Sequence, residues 1–282
     1  MLTSDQFNRT RRLALHLAGI ELVERHRELL YRRCERLGVR DSSGFDDLLD
    51  AAESGDNEAG QRLIRLITTK FTGFFRHPRQ FEAAAIAAFK AAQQQGCARL
   101  WSAGTATGEE AYSLAISLLE FFKQDEPPVT ILATDVDQTA LNFAAKGQYG
   151  ARALEVLDPV RRTRFFTQAG QHKWVINPLP RRLVEFGVLN LASDVWSVGG
   201  PFDVIFCRNV LMYLEECHRY SVLERMASLL APDGVLILDP SEHPGRASHL
   251  FNRELDAIYS IGLKPGQGRK PRAAVAIRHR GG

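Results

Sequence analysis

The chain has 282 residues, enough for one large domain or for a domain with a smaller partner. Hydrophobic residues make up 45% and charged residues 24%, which is typical of a folded globular protein and argues against a disordered or fibrous chain. The formal net charge of +3 is too small to indicate a nucleic-acid-binding surface.

The cysteines and the amino-terminal segment indicate the cellular compartment of the protein. The four cysteines show no CxxC spacing, so they predict neither a metal site nor a disulfide framework, and isolated thiols fit a reducing compartment. The opening segment MLTSDQFNRTRR lacks the apolar core of a signal peptide, and no run approaches the length of a membrane-spanning helix. We therefore expect a cytoplasmic protein that does not insert into a membrane.

Residues 1–70 predict a small all-helical domain with an uneven charge distribution. Apolar residues recur there at helical spacing. The segment 9–40 holds nine arginines against four glutamates, whereas the segment 41–58 holds seven acids and no lysine or arginine. The basic half predicts a surface that steers an acidic partner, and the alternative is a helix face that is merely solvated.

Residues 71–282 predict a different architecture, in which apolar strands alternate with helices. Such alternation is typical of a doubly wound, mainly parallel α/β sheet. The range 148–188 is less regular, and the segments LDAIYSIGL and AAVAIRH are candidates for a closing antiparallel pair. The predicted strands cover 98–103, 129–135, 202–208 and 235–240, and the predicted helices cover 79–95, 109–123, 137–146 and 215–230.

The segment RLWSAGTATGEEAYSLAI, residues 99–116, predicts a strand, a glycine turn at Gly104 and Gly108, and a helix with two acids in its first turn. The glycines permit close approach of a ligand to the backbone. Carboxylates at a helix N-terminus occupy the positive end of the dipole, which disfavours a phosphate ligand and favours a cationic one. S-adenosylmethionine, with an ammonium and a sulfonium, has that character. An ordinary turn whose acids complement the dipole is the alternative.

Two further predicted strands end in polar residues. Asp135 closes the strand ILATD, where an acid can accept hydrogen bonds from both hydroxyls of a ribose; capping of the next helix, the alternative, falls more naturally to Asp137. Arg208 and Asn209 stand at the end of the buried strand FDVIFCR, with Tyr213 close behind. The alternative for Arg208 is an ion pair with a structural role, and the alternative for Tyr213 is an amphipathic tyrosine of the core.

The segment TKFTGFFRHP, residues 69–78, joins the two predicted regions and is unusually aromatic for a linker. Phe74 or Phe75 is a candidate for anchoring one region on the other. Arg76 falls where the cleft at the end of the sheet is expected.

Taken together, these segments resemble the CheR-type chemotaxis receptor methyltransferases, which are S-adenosylmethionine-dependent protein-glutamate O-methyltransferases. The resemblance extends from about residue 5 to about residue 243. No single motif is specific, but their combination and order are. The matching motifs are TGFFRHPRQF, WSAGTATGEEAYSLAI, ILATDVDQTALNFAAKGQY, VEFGVLNL and FDVIFCRNVLMYL.

The resemblance implies a fold and a set of site residues. The fold is a Rossmann-like methyltransferase sheet, with a helical substrate-docking domain at 1–70, a methyltransferase domain at 71–282 and a small β-subdomain at 148–188. Glu109 would hold the methionine ammonium of the cofactor, with Glu110 only a helix-start residue. The implied cofactor-binding residues are Lys70, Thr72, Arg76, Gly104, Glu109, Asp135 (ribose), Asn190 and Leu191 (adenine), Arg208 and Asn209. Arg76 and Tyr213 would flank the methyl group and orient the substrate carboxylate.

The resemblance also implies a partner, the helical cytoplasmic domain of a chemoreceptor, docked through Arg25, Arg32, Arg33 and Arg36. Some family members bind a tether peptide at the receptor's C-terminus through the β-subdomain. The segment 168–184 is a few residues shorter than in those members, so we expect no tether here.

Departures from the family pattern leave a second class of function open. Lys70 stands where the family usually has Asn, and 239–242 replaces a more glycine-rich turn. A catalytically weak, cofactor-sensing module on the same fold is therefore the alternative to the enzyme. Methylation of a small molecule is disfavoured by the helical domain and the receptor-type motifs.

Overall fold

The computed structural model describes residues 2–36, 42–68 and 72–262. Lys70 and the segment AAVAIRH, which the sequence analysis singled out, lie outside the described residues. Within the described part of the chain, no helix is both long enough and apolar enough to cross a bilayer.

Within residues 2–36 and 42–68, the structure describes four α-helices around a core of their own. Thr3 begins the first helix through a capping box with Gln6, and Gly19 ends it in the left-handed conformation, with φ of +64°. Asp56 caps the fourth helix by accepting a hydrogen bond from the N–H of Ala59 at 2.8 Å. The helices are α1 (Ser4–Ala18), α2 (Arg27–Arg36), α3 (Ser42–Glu53) and α4 (Asn57–Ile67).

Among the described residues 72–262, a seven-stranded sheet forms the centre. Its strand order is β6-β2-β1-β7-β8-β10-β9, and the first five strands in that order run parallel. Because β1 lies between β2 and β7, the strand order reverses at β1, and a crevice opens at the carboxyl ends there. The strands are β1 (Ala98–Ala103), β2 (Val129–Asp135), β6 (Val184–Val188), β7 (Phe202–Cys207), β8 (Leu230–Leu238), β9 (Phe251–Arg253) and β10 (Ile258–Ile261).

Both faces of this sheet are covered, which explains why its central strands are continuously apolar. Along β1, Leu100 faces one core cluster and Trp101 faces the other. The first cluster includes residues of α5 and α6, and the second includes residues of α10. The helices of this region are α5 (Pro78–Gln95), α6 (Glu109–Phe122), α7 (Gln138–Lys146), α8 (Pro159–Phe165), α9 (Pro178–Arg182) and α10 (Glu216–Leu229).

Three short strands form a separate antiparallel sheet in the order β3-β5-β4: β3 (Gln148–Gly150), β4 (Phe166–Gln168) and β5 (Lys173–Ile176). The sequence grouped 148–188 together, but β6 belongs to the main sheet, where Val184 and Phe186 pack against the core under α6. The small sheet therefore ends at Ile176.

The edge of the main sheet formed by β10 and β9 is antiparallel. The predicted pairing of LDAIYSIGL with AAVAIRH stays a prediction, because AAVAIRH lies outside the described residues. β10, from the segment LDAIYSIGL, pairs antiparallel with β8. Its second antiparallel neighbour is β9, a strand that the sequence analysis did not identify.

Candidate functional site

A cleft lies at the carboxyl ends of β1, β2 and β7. Its empty volume is about 1000 Å³ when the open solvent at its mouth is included. It occupies the point where the strand order reverses, the usual ligand site of open α/β sheets. Residues of the helical region, Ala18 and Ile20, also line it. The cleft therefore lies between the sheet and the helical region.

The loop after β1 brings backbone to the floor of this cleft. Gly104 has φ of +79°, and a Cβ there would lie 2.3 Å from Cγ2 of Val210. Only glycine fits without moving the loop after β7. The N–H groups of Gly104 and Thr105 donate to the carbonyl oxygen of Thr134, at 2.8 and 2.9 Å.

The two acids that begin α6 face different surroundings. The Glu110 carboxylate lines the cleft, accepts a hydrogen bond from the Ser102 hydroxyl at 2.8 Å, and pairs with Nη1 of Arg208 at 3.3 Å. The Glu109 carboxylate accepts a hydrogen bond from the Thr107 hydroxyl at 2.7 Å and does not line the cleft.

This geometry does not fit the sequence-based assignment, which gave Glu109 the ligand and Glu110 a place at the helix start. The two residues lie about 100° apart around the helix axis, so only one of them points to the cleft. Burial raises the pKa of Glu110, and the Arg208 guanidinium acts in the opposite direction. Burial also raises the pKa of Glu109. The structure thus places Glu110 on the cleft wall.

Asp135 lies at the end of β2 and lines the cleft, as its sequence position indicated. Oδ2 accepts a hydrogen bond from the N–H of Ala106 at 2.8 Å, and Oδ1 accepts one from the N–H of Asp137 at 2.9 Å. Asp137 caps α7, as predicted, by accepting from the N–H groups of Thr139 and Ala140. Asp135 therefore joins the glycine loop to β2 at the wall of the cleft.

Asn190 and Leu191 line the same cleft from the loop after β6. The Asn190 side-chain amide donates to the carbonyl oxygen of Leu17 at 2.8 Å, and its Oδ1 accepts from the N–H of Ala192 at 2.9 Å. Asn190 thereby fastens α1 to the sheet at the rim of the cleft.

Arg208 and Asn209 follow β7 directly and face the cleft. The Arg208 side chain is only 3% exposed, so its pair with Glu110 is a buried one. Asn209 takes a left-handed conformation with φ of +57°, and its Oδ1 accepts a hydrogen bond from Nη1 of Arg76 at 3.1 Å.

The aromatic segment before α5 is anchored in the core of the sheet region. Phe74 and Phe75 are both buried, and the Phe75 N–H donates to the Ser113 hydroxyl on α6 at 2.9 Å. Both phenylalanines belong to the core of the sheet region. Thr72 and Arg76, on either side of them, line the cleft.

Tyr213 also lines the cleft, from a short 3-10 turn between β7 and α10. Its ring packs against the core of the helical region, and its carbonyl oxygen accepts a hydrogen bond from the N–H of Glu21 at 2.9 Å. The structure thus brings nine predicted site residues to one cleft: Thr72, Arg76, Gly104, Asp135, Asn190, Leu191, Arg208, Asn209 and Tyr213.

Two acids after β8 support this site, although the sequence analysis did not assign them to it. The Glu242 carboxylate accepts hydrogen bonds from the N–H groups of Asn209 at 2.8 Å and Met212 at 3.2 Å, and burial raises its pKa. Oδ2 of Asp239 lies 3.9 Å from Nη2 of Arg76 and 3.6 Å from Nε2 of His77.

Burial acts to raise the pKa of Asp239, but hydrogen bonds from Ser241 and the charge of Arg208 outweigh it, so that pKa is lowered. The only sequence indication of these roles was that 239–242 departs from a glycine-rich turn.

Comparison with known proteins agrees with this geometry. Residues 70–255 match the family model described as CheR methyltransferase, SAM binding domain. Chemotaxis protein methyltransferase 2 of Pseudomonas aeruginosa is 36% identical over 264 residues, covering 92% of this chain and 93% of that protein. The chemotaxis protein methyltransferase of Salmonella typhimurium is 33% identical, covering 92% and 91%. That of Escherichia coli is 32% identical, covering 92% of both.

Proposed function

The chain belongs to the CheR methyltransferase family, and from that membership we infer that it is an S-adenosylmethionine-dependent protein methyltransferase of chemotaxis. We propose that it methylates glutamate side chains of a chemoreceptor and forms methyl esters that serve sensory adaptation. The observation that supports this most is one cleft that joins Glu110, Asp135 and Arg76 at the point of strand reversal.

The residues of the cleft fit this cofactor. A buried carboxylate at Glu110 suits an ammonium group, and a second carboxylate at Asp135 suits a ribose. Gly104 lines the cleft, and its lack of a Cβ lets the loop after β1 pack directly against Val210. We propose that Asn190 and Leu191 hold the adenine.

The remaining assignments rest on the family resemblance together with position in the cleft. We propose that Thr72, Arg208 and Asn209 complete the cofactor site from the loops on either side of it. Lys70 stays a prediction, because it lies outside the described residues.

The bound cofactor supplies an electrophilic methyl group on a positively charged sulfur. A glutamate carboxylate is already an anion at neutral pH, so the reaction needs no general base. The enzyme has to align the carboxylate with the methyl group and exclude water. We propose that Arg76 and Tyr213 perform this alignment at the mouth of the cleft.

Arg76 is suited to orienting a carboxylate without holding it tightly. Its guanidinium already donates to Oδ1 of Asn209 at 3.1 Å and lies 3.9 Å from Oδ2 of Asp239. Because Asp239 already attracts the Arg76 guanidinium, Arg76 attracts a second carboxylate less strongly. Tight binding by Arg76 would reduce the nucleophilicity of the substrate oxygen.

We propose that residues 1–70 form the receptor-docking domain and residues 71–282 the methyltransferase domain. Arg25 and Arg32 are exposed, whereas Nη1 of Arg33 donates to the carbonyl oxygens of Leu66 and Thr68, at 2.8 and 2.9 Å. Arg33 therefore supports the end of α4, and the docking contacts that we propose centre on Arg25 and Arg32. Arg36 remains a proposed contact on sequence grounds alone.

We also propose that the enzyme acts without a receptor tether, because the segment 168–184 is short. Only four residues connect β4 to β5. Removing the C-terminal tail of the receptor should leave the methylation rate unchanged, and a large decrease would contradict this proposal.

A labelling experiment separates the enzyme from a weak cofactor-sensing module. The full chain is incubated with methyl-labelled S-adenosylmethionine and a receptor cytoplasmic fragment, and base-labile methyl groups are measured. Multiple turnovers that are lost in Arg76→Ala support the enzyme. Cofactor binding without transferred label supports the sensing module.

A further inference from the structure

We propose that Glu215, Cys217 and His218 form a binding site for a divalent zinc-type cation, at the start of α10 and outside the cofactor cleft. Three different donor groups meet there on a four-residue stretch. Sγ of Cys217 lies 3.1 Å from Oε2 of Glu215 and 3.5 Å from Nδ1 of His218, and Nδ1 lies 3.5 Å from the same Oε2.

The triangle formed by these three atoms has the dimensions of one face of a tetrahedral zinc site. Metal–ligand lengths of about 2.3 Å to sulfur and about 2.0–2.2 Å to nitrogen and oxygen give separations of roughly 3.3–3.6 Å between nitrogen and oxygen and roughly 3.5–3.7 Å from either of them to sulfur. The two separations that involve Nδ1 of His218 meet this spacing, whereas the Sγ–Oε2 separation of 3.1 Å would widen by about half an ångström on binding, with the fourth position taken by water.

The chemistry of the donors selects the class of metal. Thiolate, imidazole and carboxylate together favour zinc and related transition metals over magnesium or calcium, which prefer oxygen ligands alone. Binding forms bonds from the metal to Sγ, Nδ1 and Oε2, and the Cys217 thiol releases one proton to solvent. The thiolate and carboxylate charges then balance the dication.

Neighbouring contacts hold the three residues in place. The Glu215 N–H donates to the carbonyl oxygen of Gly19 at 3.1 Å, and the His218 ring lies against Gly19, where a Cβ would come within 3.3 Å of its Cγ. The Arg219 guanidinium donates to the carbonyl oxygens of Leu211 and Leu214. These contacts reduce the ordering that metal binding requires.

The position of the site suggests what a bound cation would do. Leu214, next to Glu215, lines the cofactor cleft and forms a β-bridge with Ile20 of the helical region. A cation at Glu215 and His218 would therefore fix the segment that joins the helical region to the rim of the cleft.

Cobalt(II) titration of the metal-stripped full chain tests this proposal, because thiolate coordination gives a charge-transfer absorption band. We expect one equivalent to produce the band and zinc to displace it. Cys217→Ser should abolish the band, and His218→Ala should weaken cobalt binding by more than about tenfold, because losing even a residue that only orients a ligand costs about 10–100-fold in metal affinity. Cys97→Ser is the matched control, since Cys97 is partly exposed and lies at the opposite, amino end of β1.

Absence of a band at stoichiometric cobalt would overturn the proposal. So would a band that persists in Cys217→Ser or one that disappears in Cys97→Ser. All three side chains are at least partly exposed, so these variants should fold, and an unchanged thermal unfolding transition verifies this.

Discussion

The cofactor cleft and the basic helix α2 both present charged residues, but they hold them differently. In the cleft, Arg208 is 3% exposed and its partner Glu110 is 12% exposed. On α2, Arg32 and its partner Glu28 are 67% and 69% exposed. Charges of the first kind are fixed by specific partners, and charges of the second kind act mainly through their field in water.

This difference predicts that substitutions in the cleft have large, local and salt-insensitive effects. Substitutions on α2 should have small effects that added salt removes.

Arg208→Ala should lower the free energy of unfolding by about 3–5 kcal/mol, because it leaves Glu110 buried without its cation. The double variant with Glu110→Gln should recover part of the loss. Denaturant unfolding measures both. Arg182→Ala, which breaks an exposed pair with Glu126, is the control and should cost less than about 1 kcal/mol. If Arg208→Ala and Arg182→Ala lowered the free energy of unfolding equally, the buried and the exposed ion pair would not differ in their contribution to stability.

Glu242→Gln should lower kcat about tenfold, on the scale of one hydrogen bond to a charged group, with a smaller change in KM for the receptor. The amide would direct an NH2 group at backbone N–H donors and loosen the loop that carries Asn209 and Tyr213. Steady-state kinetics with saturating cofactor measures the effect. Glu254→Gln, at an exposed carboxylate, is the control. A change in KM alone would rule out a positioning role for Glu242.

Acidification should weaken cofactor binding at a higher pH than an ordinary carboxylate would produce. Burial raises the pKa of Glu110 above 4.5, and the ammonium requires the ionised form. Affinity is therefore full above the raised pKa and falls about tenfold per pH unit below it, with proton uptake opposing binding. Isothermal titration across acidic pH measures this. If Glu110→Gln showed the same loss of cofactor affinity per pH unit, the titrating group would not be Glu110.

If Arg32 docks the receptor as we propose, Arg32→Glu should raise KM for the receptor severalfold and leave kcat unchanged, because an exposed charge acts on the encounter with an acidic surface. Added salt should shrink the difference between the variant and the parent protein. The control is Arg11→Glu, the same change of charge at an exposed position of α1. An effect of equal size there would indicate a response to net charge and not a docking face.

Much of the sheet could be predicted because its central strands are buried on both faces. The runs that became β1, β2 and β7 are apolar and end in the residues that line the cleft. By contrast, β6 is short and half-exposed, so its sequence VEFGV gave no indication that it pairs with β2. Likewise β8 begins at Leu230, five residues earlier than predicted, through the turn-like segment APDG.

The site itself was predictable in outline but not in the details that depend on side-chain direction. The sequence does not show whether Glu109 or Glu110 faces the cleft, because that depends on how Gly108, in the left-handed conformation, begins the helix. Glu242 acts through backbone N–H groups 30 and 33 residues away in sequence. Glu215, Cys217 and His218 lack the spacing of a known metal motif.

One paired measurement distinguishes Glu110 from Glu109 as the residue that holds the ammonium group. S-adenosylhomocysteine, which keeps the ammonium group, is titrated calorimetrically into Glu110→Gln and Glu109→Gln at neutral pH. The structure predicts that Glu110→Gln weakens binding about a hundredfold, the scale of a buried charge left unpaired, and that Glu109→Gln changes it only a few-fold. The reverse order would contradict the account and restore Glu109 as the residue that holds the ammonium.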